Sequence, residues 1–547
     1  MHSMRKPVLV GLLAAAVFGV VQTASAGGDA TEYVVLYERG VSSAQGREAV
    51  EDAGGRIVKV NTKVGLATVR STDDDFAAQA ASEDALVGAA PNRPIGQAPK
   101  QRVAPRADVE DPAFDADRVR GARAGQPKAS PEADPFYGAQ WDMRMIGATP
   151  EGSYSKQQGS RAVRVGVIDT GIEGSHPDIA PNFNRALSRN FTFDIPAVDG
   201  PCAEEPDQSC ADGPDVDEYG HGTHVAGTIG GALNGIGMSG VAPKVELVNL
   251  RAGQDFGYFF LQPSVDALTY AGDSGIDVVN MSYYIDPWLF NCAANPEDSP
   301  AEQGQQRMVI EATQRALDYA RDRGVTLVAA EGNGATDLGK PEFDGSSPDY
   351  PPGSERDRTI DNSCLKMPLE ASGVIGITSV GPSKRKAFYS DYGVEQADLS
   401  APGGDSRDPS LPAPQNRILS PYPKAAGAAA LANPATAPMV VKEGDNYWIW
   451  QQGTSMASPH AAGVAALVVA EYGNRDRKSG GLTLDPRKVE QIMRETAVNT
   501  ACPEPREFHY PEDTTGAFTA TCEGSKNRNG FYGDGIVSAT GVLRRGH

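Results

Sequence analysis

The sequence predicts an α/β protein: one large domain with a mostly parallel central sheet covered by helices, preceded by a small ferredoxin-like unit. Three observations predict it. From Asp134 onward, short apolar strands alternate with helical segments, which implies parallel strands buried on both faces. Residues 31–97 read β-α-β-β-α-β, the ferredoxin-like order. Met456 to Ala470 is small and apolar on every side, so it reads as a helix sunk in the middle of a large core.

In chain order, Arg5 and Lys6 precede an apolar run, Val8 to Val21, and Ala24-Ser25-Ala26 offers a small-residue cleavage site before Gly27. This is the pattern of a secretion signal over residues 1–26, too short to span a bilayer comfortably. Next come the strand Tyr33 to Tyr37, a helix over Ser43 to Ala53, strands Gly55 to Val60 and Leu66 to Arg70, a helix starting at Asp75, and an extended piece Leu86 to Ile95. Residues 98–133 are rich in Pro, Ala, Arg and Asp without periodicity, so they read as an exposed linker that is easily cut. The large domain, 134–547, has strands at Val163 to Ile168, Val245 to Arg251, Ile276 to Met281, Val325 to Ala330 and Val374 to Val380. Helices open near His221 and cover Ser264 to Asp273 and Ala301 to Arg323. Three stretches read as surface insertions: acidic Asp194 to Glu218, Asp286 to Pro300, and Ala/Pro-rich Ala425 to Ala437.

A net charge of −21 argues against nucleic acid as a partner, because phosphate binding needs a basic face. The acidic surplus belongs to the large domain; residues 27–133 are nearly balanced. No later run reaches membrane length, so no membrane partner is expected once the signal is removed. Six cysteines in a secreted chain imply disulfides. Of the 15 possible pairings, short loops favour Cys202–Cys210 and Cys502–Cys522, which leaves Cys292–Cys364.

Chemistry enters at the ends of strands and the starts of helices. Asp169 closes Val-Gly-Val-Ile-Asp-Thr-Gly at the strand edge where ligands bind in such sheets, although an Asp before Gly171 also suits a plain turn. His221, in Gly-His-Gly-Thr-His-Val-Ala-Gly-Thr, can serve as a general base. A His221/His224 metal pair is the alternative, but no acidic third ligand stands at metalloprotease spacing, and His224 reads as structural. Asn333 ends Leu-Val-Ala-Ala-Glu-Gly-Asn, where an amide can donate to an oxyanion or merely sit in a left-handed turn. Ser455, in Gly-Thr-Ser-Met-Ala-Ser-Pro, would stand in the first turn of the buried helix, as nucleophile or ordinary cap.

Together the order Asp, His, Ser is that of one of the three unrelated triad folds. The motifs Val-Ile-Asp-Thr-Gly, His-Gly-Thr-His-Val-Ala-Gly-Thr, Asn-Met-Ser, Gly-Asn and Gly-Thr-Ser-Met-Ala-Ser-Pro-His resemble those of subtilisin-like serine proteases, over roughly residues 134 to 545. The resemblance implies a three-layer subtilisin-like domain and a secreted serine endopeptidase that works through an acyl-enzyme. Its implied triad is Asp169, His221 and Ser455, with Asn333 in the oxyanion hole. Extended substrate would pair with Gly257 to Phe259 and Ser282 to Tyr284, with Gly332 beside the primary pocket. Tyr283 and Tyr284 depart from the small residues usual there and would reshape the subsite walls. Glu331 also departs, which suggests a pocket tilted toward basic or polar side chains. Asp134, Asp178 and Asn234 match positions of a family calcium site, so structural Ca²⁺ is expected although the chemistry needs no cofactor.

Residues 31–97 resemble the family's inhibitory propeptide, which sets the propeptide at 27–97. A large parallel sheet folds slowly, and a separate unit that binds the folded state would assist it and block the cleft. Cutting between about Gly96 and Ala133, by the enzyme itself, is expected. The expected partners are protein or peptide substrates and the chain's own propeptide, for an extracellular monomer. A dedicated processing protease and a secreted binding protein without catalysis are the other readings.

Overall fold

The computed structural model describes residues 30–91, 109–110, 133–196, 198–204, 208–476 and 480–544. The expected signal, residues 92–95 of the last extended piece, and most of the linker lie outside these residues.

The small unit follows the expected order: β1 (Thr31–Tyr37), α1 (Ser43–Asp52), β2 (Arg56–Asn61), β3 (Leu66–Ser71), α2 (Phe76–Ala80) and β4 (Leu86–Pro91). Its antiparallel sheet has the order β2-β3-β1-β4. Ser42 starts α1 because its hydroxyl accepts from Gln45 N–H while the Gln45 side chain reaches back, a reciprocal cap. Side chains alternate across a strand. In β1, Tyr33, Val35 and Tyr37 therefore face α1 and α2, while Val34 and Leu36 join the core of the large domain. A strand buried on both faces has no polar face to show, which is why its sequence reads as a continuous apolar run.

The large domain begins with α3 (Trp141–Ile146) and β5 (Arg164–Ile168), then β6 (Arg189–Asn190), α4 (His221–Gly230), β7 (Glu246–Arg251), α5 (Leu261–Ser274), β8 (Val278–Met281), β9 (Asn291–Cys292) and α6 (Pro300–Arg321). Then follow β10 (Thr326–Ala330), the hairpin β11 (Phe343–Ser347) and β12 (Arg356–Thr359), β13 (Cys364–Leu365), β14 (Val374–Val380), β15 (Leu399–Pro402), β16 (Ile418–Tyr422), α7 (Lys424–Ala432), β17 (Val440–Glu443), β18 (Asn446–Gln451) and α8 (Thr454–Tyr472). Seven parallel strands form the central sheet in the order β15-β14-β10-β8-β5-β7-β6. Helices α5 and α6 cover one face and α4 and α8 the other, each with its own apolar core. Every residue of α8 from Thr454 to Val469 is buried, as its uniform small-apolar composition requires.

Two expected insertions differ. Asp286 to Pro300 is not a surface loop: Trp288 and Phe290 are buried, and β9 pairs with β13. Ala425 to Ala437 projects outward but is mostly helical, because a run of alanines has high helix propensity whatever prolines flank it. The acidic insertion turns inward at Asp194 and Asp212, which with Asp255 meet the fully buried guanidinium of Arg251. The three disulfides are the two favoured by short loops, Cys202–Cys210 and Cys502–Cys522, and the remaining pair, Cys292–Cys364.

Candidate active site

Asp169 follows β5, Ser282 follows β8 and Asn333 follows β10, all at the carboxyl edge of the sheet. Here α4 presents His221 as its first residue, and α8 presents Ser455 as its second.

Asp169 is fully buried, and its Oδ1 accepts from Thr170 N–H at 2.8 Å and faces His221 Nδ1 at 2.7 Å. Burial pushes the Asp169 carboxyl up, and the charge and hydrogen bond of His221 work against that. Burial pushes the His221 imidazole down, but Asp169 and Glu110 outweigh it and hold His221 well above its ordinary value. Asp217 fixes where α4 begins. Its Oδ1 accepts from Gly220 N–H (2.8 Å) and Thr170 hydroxyl (3.0 Å), and its Oδ2 from Thr223 N–H (2.9 Å) and hydroxyl (2.5 Å). These bonds tie the start of the His221 helix to the Asp169 turn. Sequence reading missed this role, although a carboxylate just before a helix start was the signal that could have found it.

Asn333 is oriented by α8. Its Oδ1 accepts from the N–H (2.9 Å) and hydroxyl (3.0 Å) of Thr454, so Nδ2 must point into the site. Gly332, at φ +116°, sits in backbone space that only glycine enters easily, and its N–H donates to Thr454 Oγ1 at 2.9 Å. Pro459 lies inside α8 and cannot return a hydrogen bond to the Ser455 carbonyl. Ser282 Oγ donates to that carbonyl instead, at 3.3 Å, and also bonds Ser458 Oγ at 2.8 Å.

The surprise is the linker. Val109 and Glu110 are not exposed: Val109 packs beside Phe388, Tyr389 and Tyr510, and Glu110 lies in the site. Glu110 Oε1 accepts from Ser455 Oγ and from Asn333 Nδ2, both at 2.6 Å, and its Oε2 stands 3.0 Å from His221 Nε2. Glu110 thus bridges the hydroxyl and the imidazole. Burial pushes its carboxyl up, yet His221, Ser455 and Asn333 together hold it below the usual carboxylate range.

His224 is structural, as expected: fully buried, with Nε2 3.2 Å from both the Ile418 and Ile449 carbonyls, and pushed down to about 3 by burial. A second buried pair, His460 Nε2 with Asp142 Oδ2 at 3.0 Å, pins α8 to α3.

Among the expected subsite features, the Gly257 to Phe259 edge and Glu331 are placed differently from expectation. The Gly257 to Phe259 edge folds back on itself: Gly257 lies in a turn, Gly253 bridges Phe259, and Gln254 N–H donates to the Tyr258 carbonyl. Asp286 engages both backbone groups of Phe259, its N–H through a carboxylate oxygen and its carbonyl through the Asp286 N–H. Tyr283 stacks on Phe259 with centroids 4.2 Å apart, and the Tyr284 hydroxyl donates to Asp349 at 2.5 Å. Both rings are therefore tied to neighbours within the fold. Glu331 is fully buried, held well above its ordinary value first by burial and then by Asp398, Asp391 and Glu370. It presents no charge to a substrate side chain; the space under Gly332 holds the Lys366–Asp391 ion pair instead.

Asp134, Asp178 and Asn234 do converge. Asp134 Oδ1 accepts from the N–H groups of Asn234 (3.2 Å) and Gly235 (2.7 Å), and Asn234 Nδ2 donates to the Pro177 carbonyl (3.0 Å) next to Asp178. Asp178 Oδ2 accepts from Met238 N–H and the Trp448 indole, while its Oδ1 is buried with no hydrogen-bond partner among the described residues. Such an orphaned hard oxygen suits a calcium ion. Asp194, Asp212 and Asp255 also lie close enough to share a cation, but the Arg251 guanidinium already sits among them. No described helix is long and apolar enough to cross a membrane.

Residues 160–535 match the model of the subtilase family. Among curated relatives, subtilisin DY of Bacillus licheniformis is 28% identical over 62% of this chain and 84% of its own. The epidermin leader peptide-processing serine protease EpiP of Staphylococcus epidermidis is 26% identical over 64% of this chain and 69% of its own. The crystal structure of EpiP from Staphylococcus aureus shares the fold with a TM-score of 0.62 at 18% identity, covering 95% of this chain and 99% of that one. The nisin leader peptidase NisP of Lactococcus lactis superposes with a TM-score of 0.51 at 20% identity over 75% and 94%. The whole seven-stranded sheet, Asp169 after β5 and the helices that carry His221 and Ser455 fall inside the matched region, and the chain belongs to the subtilase family as a subtilisin-like serine endopeptidase acting on peptides or proteins.

Proposed function

We propose that the chain is a secreted endopeptidase, made as a self-processed zymogen, in which Ser455 attacks the scissile carbonyl. His221 takes the Ser455 proton and returns it to the leaving amine. Asp169 holds the imidazole tautomer and stabilises its charged form. Asn333 Nδ2, with the Ser455 N–H at the start of α8, holds the oxyanion. One observation carries this reading: hydroxyl, imidazole and amide all reach a single carboxylate, that of Glu110, within 3.0 Å. A group that all three can touch marks the spot where a substrate carbonyl would react. The Asp169–His221 contact at 2.7 Å supports the orienting role.

Residues 27–97 act as the propeptide and 98–133 as the linker that is cut. The shared core of β1 with α5 and α6 supports this docking. A structural Ca²⁺ held by Asp134, Asp178 and Asn234 would add stability without entering the chemistry. Ser282, Gly332 and the Tyr283–Tyr284 pair border the substrate, and the mature enzyme works outside the cell as a monomer.

Labelling by a fluorophosphonate, abolished in Ser455→Ala, tests the nucleophile. N-terminal sequencing of secreted wild-type and Ser455→Ala protein tests self-cleavage; loss of residues 27–97 from the pure variant rules it out. The second reading, a dedicated processing protease, is favoured by the EpiP relative and by the restrained tyrosine pair. A casein digest separates the two, since a specialist leaves casein nearly intact.

A further inference from the structure

The linker residue Glu110 does what no propeptide body needs to do. Its one side chain meets the three groups assigned above to nucleophile, base and oxyanion hole. The approach is built from several directions. Gly453 has no side chain where one would collide: a Cβ there would stand 2.7 Å from Glu110 Cγ. Gln451 Nε2 donates to the Glu110 carbonyl at 3.4 Å. Val109 packs beside the buried cluster of Phe388, Tyr389 and Tyr510.

The chemical consequence follows from each contact. The Ser455 proton is directed to a carboxylate instead of to His221. A carboxylate against Nε2 favours the charged imidazole, which cannot accept a proton. The Asn333 amide is spent on an anion, so no substrate carbonyl can enter its place. Ser455 also gains no electrophile, since a carboxylate resists attack by an alkoxide.

We propose, resting on the serine-protease reading above, that Glu110 is an autoinhibitory latch whose carboxylate plugs the oxyanion hole and disconnects Ser455 from His221 until the linker is displaced or cut away. The latch is separate from the docking of the small unit. It acts at the reacting atoms, whereas the small unit is held on α5 and α6.

The test follows full-length secreted protein at early times, before processing is complete, with wild type, Glu110→Gln and Glu110→Ala. The readout is the rate of fluorophosphonate labelling of the intact band, with the mature band in the same lane as an internal measure of folded, competent site. Glu110→Ala should label the intact band at least about tenfold faster than wild type, the factor expected for losing a charge-assisted hydrogen bond. Glu110→Gln, which keeps acceptors for Ser455 and Asn333 but loses the charge facing His221, should fall between the two. Mature bands should label equally in all three. Equal labelling of the intact bands, with competent mature bands, overturns the latch alone. A chain in which neither band takes label overturns the protease reading and the latch with it.

Discussion

At Asn333 the amide cannot turn over without setting its NH₂ against the two donors of Thr454. The orientation of Nδ2 is thus imposed by the start of α8, the same turn that carries Ser455. Replacing Asn333 by Ala should lower kcat by about 10²–10³, on a scale itself set by a subtilisin, with KM little changed. Steady-state kinetics on the mature enzyme check this. Asp217 gathers four donors around the entry to α4, so Asp217→Ala should cost about 1–2 kcal/mol of stability in the manner of a lost helix cap. It should also lower kcat through His221. A thermal melt that does not move would contradict the assignment. Asp169, His221 and Ser455 were legible because each sits inside a run of glycines and small residues that only a tight strand-to-helix junction demands. Glu110 was not legible. It is one acid in a stretch without periodicity, and its role arises only when the linker crosses bare Gly453. Glu331 misled for the opposite reason: its charge suggested a pocket wall, while the direction in which it leaves the chain buries it.

Among the elements, α8 was the easiest to read, since a helix apolar on every side has no solvent face to confuse the periodicity. Its internal proline carries a cost the sequence did not advertise, a Ser455 carbonyl that Pro459 cannot bond, which Ser282 answers from just beyond β8. Ser282→Ala should therefore destabilise the fold by about 1–3 kcal/mol, the range for a buried acceptor left without a donor. Denaturant unfolding measures it. Helix α4 carries two histidines with opposite electrostatics. His221 is held above its ordinary value, so the charge it carries favours the folded chain at pH below about 6.5, and this contribution fades as pH rises through the raised value. His224 is pushed down to about 3, so the fold keeps it neutral. Its contribution is complete above about 6.5 and is lost as pH falls toward 3. Nitrogen shifts of the two imidazoles in the intact chain at pH 5 should show His221 charged and His224 neutral; a His224 that titrates near its ordinary value contradicts the burial argument. The segments around β9 and α7 escaped sequence reading for a physical reason. Two-residue strands carry no period, and prolines flanking an alanine run mask its propensity.

Across the whole molecule, the two-layer burial of β1 joins the small unit to the large domain's apolar core while its other face builds the small unit's own core. The fold class was readable from the alternation of strands and helices. That the small unit docks on the large domain was expected, but the surfaces that meet were not readable, because they depend on which face of β1 is turned toward α5 and α6. If calcium sits at Asp134, Asp178 and Asn234, chelation by EDTA should lower the melting temperature while leaving the initial rate of folded enzyme unchanged. An unchanged melt removes the site.

The polar rim of that junction has a fixed sense. Arg39 meets Glu311, Lys59 meets Asp266 and Lys63 meets Asp273, so in each of these described ion pairs the cation comes from the small unit and the anion from the large domain. These basic side chains are 61%, 57% and 44% exposed, open to screening by dissolved ions. If the chain is cut in the linker as proposed, brackish or saline surroundings should hasten the parting of the two pieces, and dilute water should prolong their embrace. Co-elution on a sizing column across a sodium chloride series reads this out, and the salinity of the surroundings then becomes a timer for how long the two pieces stay together.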